Sequence, residues 1–128
     1  MRTLGQKRAE FALNRVLEIT KNLNEKAKKD FKSFSAGAPS MILRNGYGQA
    51  LAFWLSKKKE KQLNLFDILM EWLSYDNGKD IKNAFASKKE RKEFIKELSE
   101  MEQSKYLAAQ KESLSLLEWV KYYVNADL

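Results

Sequence analysis

Apolar positions recur along this chain at helical spacing from the first turns onward. Ala12, Val16, Ile19, Leu23, Ala27, Phe31 and Phe34 follow one another three or four residues apart, the period of one helix face. Thr3 is placed to cap this segment and Ser35-Ala36-Gly37 to stop it. The pattern predicts one helix of about thirty residues, ~45 Å long at ~1.5 Å per residue. A second segment opens at Pro39, which suits a first helical turn, and carries Met41, Ile42, Ala50, Leu51, Phe53, Trp54 and Leu55. Asn45-Gly46-Tyr47-Gly48 interrupts it, and each helical glycine costs about 1 kcal/mol against alanine, so a kink is expected there. Lys57-Lys58-Lys59-Glu60-Lys61 reads as a solvated helix end.

Asn64 is placed to cap a third helix through Leu65, Phe66, Ile68, Leu69, Trp72 and Leu73, closed by the turn Asp76-Asn77-Gly78. One or two further turns fit residues 80–86. Ser87-Lys88-Lys89-Glu90 has the form of a capping box before Phe94, Ile95, Leu98 and Met101. The phase slips near Glu102–Ser104, and a last helix carries Tyr106, Ala109, Ser113, Leu117, Val120 and Val124. The elements predict an all-α fold: a compact single-domain bundle of about five to six helices over residues 1–128. Its long N-terminal helix would be the spine and its second helix would be kinked.

Composition supports the helical class, with only 5 glycines and 1 proline in 128 residues. It also narrows the chemistry. With no cysteine and no histidine, disulfides, thiolate metal sites and imidazole acid–base catalysis are excluded. Carboxylates remain. Asp67 and Glu71 are helical i,i+4 neighbours, and Asp76-Asn77-Gly78-Lys79-Asp80 gathers oxygens without meeting the calcium-loop pattern. Phosphate-loop, dinucleotide and nucleophile-elbow motifs are all missing, so no enzyme, cofactor or metal site is expected. No apolar run reaches the roughly 20 residues of a membrane span, and the N-terminus lacks the apolar core of a signal peptide. A cytoplasmic protein without membrane partners is expected.

Charge adds a direction. The formal net charge is +7, of which residues 1–64 carry +9 and residues 65–128 carry −2. On the single long helix drawn above, Arg8, Arg15, Lys26 and Lys29 share one flank beside the apolar stripe. Glu10, Glu18 and Glu25 lie mainly opposite. Such a flank, ~30 Å long, can follow several phosphates, and a solvated helix face is the plainer alternative. The lysine run at Lys57–Lys61 extends the basic surface if it packs nearby. Phe53 and Trp54 are adjacent and cannot both face one core, whereas Trp72 and Trp119 have the phase of core or interface residues. Base stacking is the other use of such aromatics.

Three blocks together carry a likeness to a known family. Gln6-Lys7-Arg8-Ala9-Glu10-Phe11-Ala12 is the first. The second, and the most specific, runs from Pro39-Ser40-Met41-Ile42-Leu43-Arg44-Asn45-Gly46 through Tyr47-Gly48-Gln49-Ala50-Leu51-Ala52-Phe53. Tyr106-Leu107-Ala108-Ala109, Glu112, Leu114 and Leu117-Glu118-Trp119-Val120-Lys121 form the third. In order, spacing and chain length the sequence resembles the small helical subunit of the Cmr complex, the type III-B CRISPR effector. Tyr47 stands where that family often has leucine, and Tyr122-Tyr123 where a basic residue is common.

The resemblance implies a non-catalytic protein whose copies stack head to tail into an inner filament. That filament lies beside the backbone and large subunits and lines the channel where CRISPR RNA pairs with target RNA. Base pairing then supplies sequence recognition, and the protein reads backbone and shape. On this reading Arg8, Arg15, Lys26, Lys29 and Arg44 face phosphates, joined by Lys57, Lys58 and Lys59. Two other classes remain open: a protein–protein spacer whose basic face docks on acidic neighbours, and a nuclease dependent on carboxylates such as Asp76 and Asp80.

Overall fold

The computed structural model describes residues 2–74 and 90–128, and among these it contains six helices and no strand. The expected turn at Asp76-Asn77-Gly78, the turns at 80–86 and Ser87 to Lys89 of the capping box lie outside the described residues.

Helix α1 spans Leu4–Thr20 and starts as anticipated. The Thr3 hydroxyl accepts the Gln6 N–H at 3.1 Å while the Thr3 N–H donates to Gln6 Oε1 at 2.8 Å, a reciprocal cap. The expected thirty-residue helix does not form. The chain breaks after Thr20, and α2 spans Glu25–Asn45 with Asn24 Oδ1 accepting the Ala27 N–H at 2.8 Å. Asparagine side chains compete with the helix ladder for backbone groups: Asn22 Nδ2 donates to the Glu18 carbonyl at 3.4 Å where α1 ends, and Asn24 caps the next helix. The apolar spacing runs through this break without a change of phase, which is why periodicity alone hides it.

The next correction concerns Pro39, which lies inside α2 rather than at a helix start. An interior proline costs ~3 kcal/mol. Phe31, Ala38 and Ile42 on the same helix are fully buried, and burial of large apolar side chains at roughly 1.5–3 kcal/mol each offsets that cost. Ser35-Ala36-Gly37 therefore lies within α2 and stops nothing. The true stop is Gly46, at φ 94° and ψ 148°, a region essentially restricted to glycine. The expected kink is thus a full break, and α3 spans Tyr47–Lys57. Gly48 gives the chain a close approach instead. Its N–H donates to the Tyr106 hydroxyl at 2.7 Å, and a Cβ there would sit 3.2 Å from the same oxygen.

Lys58, left-handed at φ 57°, closes α3. Helix α4 spans Glu60–Ser74, so Asn64 lies inside it instead of capping it. The earlier start is fixed by the Lys59 carbonyl, which accepts the N–H groups of Gln62 and Leu63. All six apolar residues expected on this helix are buried, with Met70 and Gln62 added. Helix α5 spans Arg91–Glu100 and buries Phe94 and Leu98; Phe94 packs edge-on to Phe66 at 5.7 Å. Helix α6 spans Gln103–Asn125, and the expected phase slip is the Met101–Glu102 corner before it.

With 23 residues, α6 is the longest helix among the described residues and takes the role of spine expected of the N-terminal segment. Arg8 meets Glu112 while Val16 and Thr20 lie beside Val124, so α1 and α6 run the same way. Lys32 meets Asp127 while Gly48 meets Tyr106, so the α2–α3 segment runs against α6. The corner between α1 and α2, the C-terminal turns of α6 and the corner between α3 and α4 all lie around the first half of α2.

Candidate nucleic-acid interface

Two of the expected phosphate contacts are engaged inside the fold. Arg8 donates from Nε to Glu112 Oε2 at 2.6 Å and from Nη2 to Oε1 at 2.8 Å. Glu112 also accepts the Trp72 indole N–H at 2.8 Å, which ties α1, α4 and α6 together. Hydrogen bonding to Glu112 holds the Arg8 pKa above its ordinary value against the opposing effect of burial. Arg15 donates to Glu71 at 2.9 Å and also bonds Glu18, so this acid does not stand on the opposite side as expected. Glu71 has a raised pKa because partial burial outweighs the pull of Arg15. With the helix broken at Asn24, Arg8 and Arg15 share no continuous flank with Lys26 and Lys29.

The lysines are placed differently. Lys26 and Lys29 are exposed in the first turns of α2 and have no ion pair among the described residues. Lys57, Lys58 and Lys59 are exposed at the α3–α4 corner. A shallow groove of about 150 Å³ lined by Leu23, Ala27, Asp30, Lys59 and Lys61 seats that corner against the first half of α2. The lysine run therefore seats on the same half-helix that carries Lys26 and Lys29, although neither of these lines that groove. On the other side of the same half-helix, Lys28, Lys29 and Lys32 line a larger groove of about 590 Å³ with Tyr123 and Val124.

Among the described residues, the two grooves carry Lys28, Lys29, Lys32, Lys59 and Lys61, with Lys21, Lys26, Lys57 and Lys58 on the same short segments, against the side-chain carboxylates of Glu25, Asp30, Glu60 and Asp127. Two of those carboxylates are held only loosely: Lys28 to Glu25 is 3.6 Å and Lys32 to Asp127 is 3.7 Å, both beyond hydrogen-bond reach. Exposed pairs of this kind contribute about 0–1 kcal/mol, so the surface keeps its excess positive field. Lys57 Nζ sits 5.2 Å from the ring of Phe53, itself 44% exposed, while the adjacent Trp54 is fully buried. Arg44 is exposed in the last turn of α2, eighteen residues from Lys26 and hence ~27 Å away.

The carboxylates are in ion pairs of their own. Asp67 and Glu71 do not act together: Asp67 receives both arms of Arg91 at 2.9 and 2.8 Å, and Glu71 faces Arg15. Among the described residues no group of three or more acidic side chains is arranged to hold a metal ion. Asp76 and Asp80 lie outside the described residues. No helix among the described residues is long and apolar enough to cross a membrane.

Sequence reasoning missed Glu112 as the partner of Arg8, and Lys28 and Lys32 as groove residues. For Glu112 a signal was present, since it sits on the buried phase of α6 beside Ala109, Ser113 and Leu116. Of the two tryptophans assigned to core or interface, Trp72 is buried, and Trp119 is 36% exposed and stacks on Tyr123 at 5.8 Å.

Residues 4–127 match the family model for CRISPR-associated protein Cas_Cmr5. Among solved structures, the chain is similar to the crystal structure of a CRISPR-associated Cmr5 family protein from Thermus thermophilus. The two share 28% identity with a TM-score of 0.77, covering 98% of this chain and 97% of that one.

Proposed function

This chain belongs to the Cmr5 family of CRISPR-associated proteins and is the small helical subunit of a Cmr complex, and we propose that it lines the RNA channel there as a non-catalytic scaffold. Copies stack into an inner filament beside the backbone and large subunits, in the cytoplasm. The lysine-rich end holds the backbone of CRISPR RNA or its target. Lys26, Lys29, Lys57, Lys58 and Lys59 form this contact, and Arg44 makes a separate one from the far end of α2. Arg8 and Arg15 serve the fold instead, because their guanidiniums are committed to carboxylates.

The observation that carries the reading is the convergence of two lysine sets, far apart in sequence, on one half-helix. Phosphate contacts release counterions, so binding weakens with salt in proportion to their number. Changing Lys26, Lys29 and Lys58 together to Glu should weaken RNA capture by the assembled complex. The slope of log K against log salt should fall by about 2 for a single strand. Unchanged affinity and slope in an intact complex would refute the RNA role.

The spacer reading has one observation in its favour. Leu107, Trp119 and Tyr122 on α6 are large apolar groups left exposed, as a protein contact requires. Ultraviolet crosslinking within the complex separates the two readings: RNA joined to the lysine-rich end supports the scaffold, and crosslinks to protein alone support the spacer.

A further inference from the structure

The larger groove has features that a backbone contact does not need. Its floor is apolar, formed by Val16 and Val124, both nearly buried. Tyr123 also lines the groove, and its ring stacks on Trp119 with an interplanar angle of 28°. Lys28, Lys29 and Lys32 from α2 line the same groove. Its volume of about 590 Å³ falls within the range of clefts that enclose small ligands. Lysines alone would serve any polyanion, but an aromatic wall over an apolar floor suits a flat ring carried beside a phosphate.

We propose that this groove takes an unpaired nucleotide of single-stranded RNA, its base against Tyr123 and its flanking phosphates on Lys28, Lys29 and Lys32. The proposal rests on the RNA-contact reading above and adds the form of RNA that is held. In a duplex the base faces are covered by their neighbours, so only the lysines could engage it. Lys29 has no ion pair among the described residues, and the Lys28 and Lys32 pairs are long enough to yield to a phosphate. Glu25 and Asp127 stand at the rim, where they accept hydrogen bonds from a ribose hydroxyl or a base amino group. The Thr20 hydroxyl is already spent on the Val16 carbonyl at 2.8 Å and takes no part.

The experiment titrates the full chain with a labelled single-stranded oligoadenylate and with the same strand paired to its complement. Trp119 supplies a second readout, because Trp54 and Trp72 are buried and Trp119 alone of the three is partly exposed. Single-stranded RNA should quench Trp119 emission. Tyr123→Ala and Tyr123→Leu should each weaken single-strand binding about tenfold, with duplex binding unchanged and Tyr123→Phe close to wild type. Lys28→Gln with Lys32→Gln should weaken both RNAs, and serves should the Tyr123 variants misfold. Unchanged single-strand affinity in Tyr123→Leu, equal losses for both RNAs in that variant, or binding without quenching would overturn the proposal and leave the scaffold reading standing. Adenosine monophosphate competing as well as the strand would also overturn it, assigning the groove to a free nucleotide. If neither RNA binds and the assembled complex gives no RNA crosslink to this chain, both readings fall together.

Discussion

Removing the carboxylate of Glu112 should destabilise the protein far more than it affects RNA binding. Its side chain is 8% exposed and that of Arg8 21%, and the two share a two-pronged hydrogen bond in which the Trp72 indole also joins. Deleting one member of a buried ion pair generally costs about 3–5 kcal/mol, because the other charge stays buried without a partner. Water reaches part of the Arg8 guanidinium, so the lower end applies: about 3 kcal/mol for Glu112→Ala. Glu112→Gln should cost about 2 kcal/mol, since the amide oxygen still accepts from Trp72. Against a total stability on the order of 5–15 kcal/mol this is a large fraction. In urea, with a slope of about 2 kcal/mol per molar, the Glu112→Ala midpoint should fall by about 1.5 M. Arg8→Met placed on Glu112→Gln removes the stranded charge, so the double variant should be no less stable than Glu112→Gln alone. Arg8→Met should leave the salt slope of RNA binding unchanged. A Glu112→Gln cost under about 0.5 kcal/mol would refute the buried-pair reasoning. So would full additivity of the two changes, or loss of about one phosphate contact in Arg8→Met.

The same glycine-to-alanine change should have opposite signs at two positions. Gly46→Ala forces a side chain to φ 94° and should cost about 1–3 kcal/mol, whereas Gly37→Ala sits mid-helix with nothing within 4 Å and should gain about 0.5–1 kcal/mol in urea unfolding. Lys58→Gly relieves a left-handed lysine at the α3 terminus and should raise stability by about 1 kcal/mol while weakening RNA binding, an uncoupling visible by melting and RNA titration together. The Glu71 pKa is raised in the folded state, so its contribution is fully present below the ordinary carboxylate value of 4.5 and is lost as pH rises through the raised value. The stability of Glu71→Gln relative to wild type should therefore increase across that interval, and a difference independent of pH would contradict the assignment.

Several features were legible in the sequence because their causes are local. The Thr3 cap, an interruption at Asn45–Gly48 (read as a kink, found as a full break) and the corner at Met101–Glu102 each depend on residues within a few positions. The apolar faces of α4 and α6 were read correctly, since burial follows the helical period. The Asn24 break was not, because Leu23 and Ala27 preserve the apolar phase on both sides of it. Pro39 misled for the reverse reason: a local signal for a helix start was overridden by the burial of Phe31, Ala38 and Ile42 around it.

By itself the sequence determined the helical class, the core positions, the lack of thiol and imidazole chemistry and the concentration of charge in the first half. Its block pattern also pointed to the right family. Which cations are available was decided only by the tertiary structure. Arg8 is matched by an acid 104 residues away, and Arg15 by one 56 residues away, so composition counted as free two charges that folding commits. Lys59 and Lys61 are likewise remote in the chain from the half-helix that carries Lys26–Lys29, and share an end of the bundle with it because the α3–α4 corner seats on α2. Charge is a property of each residue, but the field at a surface depends on which opposite charges the fold brings within reach.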